Sequence, residues 1–232
     1  MKIIYRISDT GYNKIKPPYV NNENCLKNFC KVFSDYNSDI KIIADNCSEE
    51  TIKMINKYVD SVNIEKVSIG HGSGTFNLAL DEALKYEYSE IIYFVENDYI
   101  HRQGAVDALL EGFDLGTDFL TLYDHLDKYI DGPNPYVSQG GEDTKVFLTK
   151  SCHWKFTNST TMTFAGRVSS LRKYESIIRQ YTNTSHPYDF DMWISMRNQG
   201  ASLISPIPGY STHGESAWLA PLINWNNVNS NT

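Results

Sequence analysis

The sequence has few of the features that mark membrane, secreted or zinc-binding proteins. No apolar run approaches the roughly 20 residues that a membrane-spanning helix needs, and the stretch 2–6 is too short and too charged for a signal peptide. The four cysteines form no C-x-x-C pair, and no histidine lies at zinc-finger spacing from them. We therefore expect a soluble, cytoplasmic protein with free thiols and without a structural zinc site.

Clusters of basic residues are missing as well. The formal net charge is -7, so nucleic acid, which proteins bind largely by neutralising phosphates, is not an expected partner. Hydrophobic residues make up 41% of the 232 residues, which is enough to bury one substantial core. The chain is interpreted as one large α/β domain or as a domain with an appendage.

Strands and helices are predicted to alternate along the first half of the chain. They are expected, starting with a strand, at 2–8, 24–36, 39–44, 51–58, 64–69, 75–86 and 91–95. This order produces a mostly parallel sheet with helices on its faces. The uninterrupted apolar run at 91–95 predicts a central strand that is covered on both sides.

The second half is predicted to contain antiparallel strands. In chain order we expect a helix at 104–112, a strand at 118–123, a loop at 124–141, strands at 145–149 and 159–164, helices at 170–181 and 189–199, and a last ordered element of unassigned type at 201–206. The loop is long enough to form a lid over a binding site. The asparagine-rich end, 224–232, is predicted to be a disordered tail.

Acidic side chains follow the predicted central strand directly. Glu96, Asn97 and Asp98 lie where the apolar run stops, and ligands of open α/β sheets bind beyond the carboxyl ends of the strands. The carboxylates of Glu96 and Asp98 would point to the same side of an extended chain and could hold Mg²⁺ or Mn²⁺ together with substrate phosphates. A solvated acidic turn is the alternative interpretation.

Other polar clusters fall at strand ends and in loops. They are Ser8 with Asp9, Asp45, and Asp189 with Asp191. One pocket could collect them all. If the first half of the chain binds a nucleotide, Asp45 could accept hydrogen bonds from a base or ribose; otherwise it is a turn or capping residue.

A glycine cluster, Gly70-x-Gly72-x-Gly74, precedes the third predicted helix. It matches neither G-x-G-x-x-G nor G-x-x-x-x-G-K-[ST], so a Rossmann dehydrogenase and a P-loop enzyme are both disfavoured. The pattern predicts a glycine-rich loop at a helix N-terminus, where the backbone comes close to a neighbouring group. Such a loop faces a phosphate or simply turns the chain.

Four segments, taken in order, resemble the GT-A-fold glycosyltransferases that use nucleotide sugars, closest in pattern to glycosyltransferase family 2 and related viral or bacterial enzymes. They are I-I-A-D-N-C-S at 42–48, the glycine-rich helix start at 72–84, F-V-E-N-D at 94–98 and Y-D-F-D-M-W at 188–193. The likeness covers roughly residues 2–215. It implies one GT-A-like, Rossmann-like domain at 1–223, with a nucleotide-binding half at 1–101 and an acceptor half at 102–223.

The resemblance also implies roles for single residues. Asp98, with Glu96, would bind the metal on the diphosphate where the family has its D-x-D motif. His213 resembles the late histidine with which some GT-A enzymes complete the metal shell; without the resemblance it would be an exposed loop histidine. Implied donor-site residues are Ser8, Asp9, Asp45, Gly74, Asn77, Glu96 and Asn97.

The activity implied by the resemblance is inverting transfer of a hexose or deoxyhexose from a nucleoside-diphosphate sugar, with UDP favoured, to a hydroxyl of a glycan, assisted by Mn²⁺ or Mg²⁺. Asp189 would take the proton of the acceptor. In the family the base is the aspartate that follows a glutamate, and here Tyr188 replaces that glutamate. Asp191 is therefore the alternative base. Trp154 would stack on an acceptor sugar or, alternatively, fill the core.

Two other functions stay open. A nucleotidyltransferase shares the α/β sheet and the acidic metal site, but it usually has a basic glycine-rich loop near the first strand, where only Arg6 and Lys14 lie here. A non-catalytic sugar-binding protein of the same fold would explain Glu96 and Tyr188, the two departures from the family pattern.

Overall fold

The computed structural model describes residues 1–11 and 13–230. In this part of the chain the strands are β1 (Lys2–Ser8), β2 (Ile40–Asp45), β3 (Ile64–Val67), β4 (Ile91–Glu96), β5 (Tyr99–His101), β6 (Phe119–Leu120), β7 (Val137–Ser138), β8 (Gly141–Glu142), β9 (Val146–Leu148), β10 (His153–Phe156), β11 (Phe164–Arg167), β12 (Leu203–Ile207) and β13 (Ser211–His213). The α-helices are α1 (Asn22–Val32), α2 (Glu49–Ile55), α3 (Gly72–Ala83), α4 (Ala105–Asp114), α5 (Val168–Tyr181), α6 (Asp189–Asn198) and α7 (Trp225–Ser230).

A nine-stranded sheet in the order β3-β2-β1-β4-β11-β6-β12-β10-β9 forms the centre of the molecule. Its first half is parallel, as predicted: β1 lies between β2 and β4 and runs parallel to both, with Ser8 opposite Asp45 and Arg6 opposite Glu96. Parallel strands end at the same edge of a sheet. The polar residues that follow β1, β2 and β4 therefore meet there.

The second half of the sheet mixes the two strand directions. β11 pairs antiparallel with β4 and β6, and β10 pairs antiparallel with β9 and β12, so seven of the nine strands share one direction. The sequence pattern does not indicate β10, and the strand predicted at 159–164 is wrong for all but Phe164. The mixed α/β architecture with small antiparallel sheets, β5–β13 and β7–β8, confirms the predicted fold class.

Hydrophobic cores cover both faces of the sheet. Along β1, Ile3, Tyr5 and Ile7 enter the core that includes α1 and α4, whereas Ile4 enters the core of α3, α5 and α6. Successive side chains of a strand point to opposite faces. A strand that is buried on both faces therefore needs apolar residues at nearly every position, which explains the apolar run of β4 and that of β1, which only Arg6 interrupts.

The segment 124–142 is fixed by buried ion pairs. Lys155, which is 3% exposed, lies 3.2 Å from the carboxylate of Asp124 and donates to the hydroxyl of Tyr129 at 2.9 Å. Lys128 donates to Asn158 and Ser159 at 2.8 and 2.7 Å. This segment contains the β7–β8 hairpin and packs on the second half of the sheet.

Residues 225–230, which the sequence pattern assigned to a disordered tail, instead form α7. Trp225 is 2% exposed, and its indole N–H donates to the carbonyl of Ala220 at 2.8 Å. Ala220 in turn donates its N–H to the hydroxyl of Thr212 in β13. Residues 231 and 232 of the predicted tail lie outside the described residues. No helix in the described part of the chain is long and apolar enough to cross a membrane.

Candidate active site

A cavity of about 1420 Å³ opens at the carboxyl ends of β1, β2 and β4. Residues from widely separated parts of the sequence line it, including eight of those predicted from the sequence: Ser8, Asp9, Asp45, Glu96, Asn97, Asp98, Asp189 and His213. Gly74, Asn77, Trp154 and Asp191 do not line this cavity. The sheet order explains the convergence, because three of the contributing loops follow adjacent parallel strands.

Asp45 forms one wall of the cavity at the end of β2. Its carboxylate accepts hydrogen bonds from the backbone N–H groups of Ile69 at 2.6 Å and Gly70 at 2.9 Å. Gly70 has a φ of +82°, a conformation that glycine adopts without strain. The carboxylate is thus held in one orientation beside the glycine-rich loop, with oxygen lone pairs left to accept further hydrogen bonds.

Asp9 and Ser8 form the adjoining wall. Asp9 accepts hydrogen bonds from the N–H of Ser48 and the hydroxyl of Thr51, both at 2.7 Å. Burial opposes the ionisation of Asp9, but these hydrogen bonds outweigh it and lower the pKa of its carboxyl group. The carbonyl of Ser8 accepts from the side chain of Asn97 at 3.2 Å, which ties the ends of β1 and β4 together.

The helix start at 72–84 contributes differently from what the resemblance implies. Gly70, His71 and Gly72 line the cavity, whereas a Cβ atom on Gly74 would lie 2.3 Å from Ile69, so Gly74 is required for local packing. The amide group of Asn77 donates to the carbonyl of Thr182 at 2.9 Å. Asn77 therefore fixes the segment that leads to Asp189 and lies away from the cavity wall.

Glu96 is paired with a buried arginine. The guanidinium of Arg6, which is 5% exposed, lies 3.1 Å from the Glu96 carboxylate, and the hydroxyl of Thr163 lies 3.3 Å from the same group. Arg6 also donates to the carbonyl of Gly72 at 3.1 Å. Arg6 was not among the predicted site residues, although a charge inside an otherwise apolar strand indicates a buried ionic partner.

Asp98 and His213 lie together because the β5–β13 ladder pairs His213 with Tyr99. The Asp98 carboxylate oxygen Oδ2 is 3.3 Å from His213 Nε2 and 3.0 Å from the ammonium of Lys16. The ammonium of Lys14 is 3.1 Å from the same His213 nitrogen. Burial opposes ionisation of Asp98, but His213 and the two lysines outweigh it and hold the pKa of Asp98 well below its usual range.

These two residues fit part of a divalent-cation site. Two ligands of an octahedral ion at about 2.1 Å lie about 3 Å apart when they are neighbours, which matches the separation of Asp98 Oδ2 and His213 Nε2. Among residues 1–11 and 13–230, no group of three or more His, Cys, Asp or Glu side chains could hold a metal ion. The structure therefore does not place Glu96 with Asp98 and His213 as a third ligand, contrary to expectation.

Asp189 faces the cavity from the first turn of α6. Its carboxylate accepts the N–H of Phe190 at 2.8 Å. Burial raises the pKa of Asp189 to about 6, with a smaller contribution from the negative charge of Glu96. Asp191 is exposed and lies outside the cavity. Position therefore favours Asp189 over Asp191 as a group that could exchange a proton in the cavity.

Trp154 is fully buried in β10, and its indole N–H donates to Thr149 at 3.3 Å. A Cβ atom on Gly112 would lie 2.9 Å from its ring, so the indole packs closely against α4. The structure therefore corrects the prediction that Trp154 stacks on an acceptor sugar. The residues of 124–142 do not line the cavity either, so this segment is not a lid over it.

Comparison with known proteins identifies the fold. No family model matches the sequence, and no curated protein matches it. The structure of GalNAc-T7 with UDP, GalNAc and Mn²⁺ is similar to this chain, with a TM-score of 0.56 and 12% identity over 91% of the chain. TarS from S. aureus is similar with a TM-score of 0.50 and 14% identity over 88%. This chain spans 42% and 35%, respectively, of those two chains.

The sheet, the cavity at its parallel edge and these similarities define a protein of the GT-A fold. At identities of 12% and 14% the likeness establishes the fold and leaves the activity to be argued from the residues of the cavity.

Proposed function

We propose that this protein is an inverting glycosyltransferase that moves a sugar from a nucleoside-diphosphate sugar to an acceptor hydroxyl. One observation carries the proposal. Asp45, Asp98, Asp189 and His213, which are far apart in the sequence, line a single cavity on a GT-A fold. Asp45 is a hydrogen-bond acceptor for a nucleoside, and Asp98 and His213 are a pair of ligands for a cation. Asp189 is a carboxylate whose pKa suits proton transfer.

The donor nucleoside is assigned to the end of the cavity formed by β1 and β2. Asp45 is held by two backbone N–H groups and can accept a hydrogen bond from a base or ribose. Asp9 is held by the backbone N–H of Ser48 and the hydroxyl of Thr51. We favour a UDP-linked donor, in agreement with the UDP in the GalNAc-T7 structure.

Transfer would proceed by direct displacement. The acceptor oxygen attacks the anomeric carbon, the bond from that carbon to the diphosphate oxygen breaks, and the electron pair leaves with the diphosphate. Asp189 takes the proton of the attacking hydroxyl, and its pKa of about 6 keeps it ionised at neutral pH while leaving it more basic than an ordinary aspartate. A hydroxyl of a glycan is the acceptor that we propose.

Asp98 and His213 are the residues that would hold a divalent cation, Mn²⁺ or Mg²⁺. When bound, such an ion neutralises charge that develops on the leaving diphosphate. With two protein ligands, the remaining ligands would come from diphosphate oxygens and water, as is common for Mg²⁺ sites. Arg6 holds Glu96 at 3.1 Å and keeps this carboxylate in a neutral pair.

The test is release of nucleoside diphosphate from UDP-, GDP- and dTDP-sugars with Mn²⁺, with and without a panel of oligosaccharide acceptors. We expect turnover with a UDP-sugar, and a loss of about 10²–10⁴-fold in kcat for Asp189→Asn, the range that general bases contribute. Asp191→Asn is the matched control, because it changes an exposed carboxylate two residues away.

The outcomes separate the alternatives. Saturable binding of a nucleotide sugar without turnover in either form would identify a non-catalytic binding protein. A loss of activity in Asp191→Asn with retention in Asp189→Asn would move the base to Asp191. Failure to bind any of the three donors would contradict the proposal as a whole.

A further inference from the structure

The segment between β1 and α1 places two ammonium groups on the proposed metal ligands. Lys14 Nζ lies 3.1 Å from His213 Nε2, and Lys16 Nζ lies 3.0 Å from Asp98 Oδ2. Both lysines line the same cavity as their partners. The N–H of Ser216 donates to the carbonyl of Ile15 at 2.9 Å, so the backbone between the two lysines is tied to the chain that follows β13.

The hydrogen-bonding capacity of His213 limits what this nitrogen can bind. An ammonium group has three donors and no acceptor, so a hydrogen bond of Nε2 with Lys14 uses the lone pair of this nitrogen, whereas its contact with Asp98 Oδ2 at 3.3 Å uses a proton on it. A metal ion needs that lone pair free, so neither contact persists when the ion binds. Lys14 and a divalent cation are therefore mutually exclusive partners of His213.

The charges at Asp98 lead to the same exclusion. Its side chain is 12% exposed, and its oxygen Oδ2 contacts Lys16. A dication bound to that oxygen would repel the Lys16 ammonium, which lies 3.0 Å from the same oxygen, and charges that are partly buried are screened only weakly by solvent. Binding of a metal ion alone would thus release two ammonium groups into the cavity without a partner.

We propose that Lys14 and Lys16 are exchangeable counter-cations: they hold Asp98 and His213 in the free protein and transfer to the diphosphate of the donor when the metal ion takes their place. This inference rests on the proposed function, because it assigns the two lysines to the diphosphate of a nucleotide sugar bound in that cavity. The lysine side chains have four rotatable bonds each and are point-charge ligands that suit a phosphate.

The exchange predicts strong mutual dependence of metal and nucleotide binding. The metal ion binds poorly alone because it must displace two paired lysines, and the diphosphate supplies the new partner that these lysines need. By linkage, each ligand must strengthen the other by the same factor. Removing the lysine charges would weaken this coupling.

The test is calorimetric titration of the full chain with Mn²⁺ alone, with UDP alone and with Mn²⁺ in the presence of UDP. For the double variant Lys14→Met with Lys16→Met, we expect Mn²⁺ alone to bind at least about tenfold more tightly than to the wild type. We expect UDP without metal to bind at least about tenfold more weakly. Lys53→Met, an exposed lysine of α2 outside the cavity, is the control and should change neither.

An unchanged or weaker affinity for Mn²⁺ alone in the double variant would overturn the inference. So would the absence of Mn²⁺ binding in every form, or an unchanged affinity for UDP. These titrations need no turnover, and circular dichroism checks that the variants fold. A protein that passes them but transfers no sugar would contradict the proposed function and leave the lysine exchange standing.

Discussion

The side chain of Asp189 couples the proposed chemistry to pH. Its pKa is raised to about 6, chiefly by burial, and only the ionised carboxylate can accept a proton. We therefore expect kcat/KM to fall about tenfold per pH unit below pH 6 and to level off above it. A pH profile of the wild type checks this, and a profile that stays flat down to pH 4.5 would exclude Asp189 as the base.

The same shift makes a separate prediction for stability. Because the folded state binds the Asp189 proton more tightly than the unfolded state does, this group stabilises the fold fully below about pH 4, and the contribution is lost as the pH rises through 6. Replacing the ionised carboxylate should then stabilise the protein at pH 7. We expect Asp189→Asn to melt at a higher temperature than the wild type at pH 7, whereas Asp191→Asn should melt as the wild type does. A lower melting temperature for Asp189→Asn would contradict this.

Individual site residues differ in how far the sequence could predict them. Asp45 comes directly after an apolar run and Asp98 three residues after one, so the sequence predicts their position at a strand end. Lys14 lies in a segment with two prolines and no periodicity, and its partner, His213, is 199 residues away. Trp154 was misassigned because the short strand β10 has no apolar run that would indicate a buried position.

At the scale of elements, the segment 124–142 depends on Lys155. Burial raises the pKa of Asp124, and the nearby positive charge of Lys155 opposes that effect. We expect Lys155→Ala to lower the free energy of unfolding by about 3–5 kcal/mol, because it leaves a buried carboxylate without its cation. Urea denaturation measures this. The double variant Lys155→Met with Asp124→Leu should recover part of the loss, because the buried carboxylate of Glu142, 3.7 Å from the Lys155 ammonium, still lacks its cation. Equal losses in both variants would argue against an ionic cause.

The elements also show where sequence patterns succeed. β1 has its predicted bounds, Lys2–Ser8, because its apolar residues are buried on both faces. β11 was misplaced because Ala165 and Gly166 give no strand signal, and the reason for Gly166 is tertiary: a Cβ atom there would lie 2.6 Å from Phe119. A glycine required by a neighbouring element is invisible to a local pattern.

For the whole molecule, binding of donor and metal should appear as added stability. A ligand that binds only the folded state at 100 times its dissociation constant contributes about 2.7 kcal/mol. We expect UDP with Mn²⁺ to raise the melting temperature more than GDP or dTDP with Mn²⁺, and more than UDP alone. In Asp98→Ala the increment due to Mn²⁺ should disappear; its persistence would place the ion elsewhere.

The short helix at the end of the described chain bears on how the protein is handled. Trp225 is hydrogen-bonded to Ala220, and Ala220 to Thr212, the residue before His213. Trimming the asparagine-rich terminus to improve crystallisation or expression would therefore loosen the strand that carries the histidine. A shortened protein that folds but responds weakly to Mn²⁺ would owe this defect to the missing tryptophan.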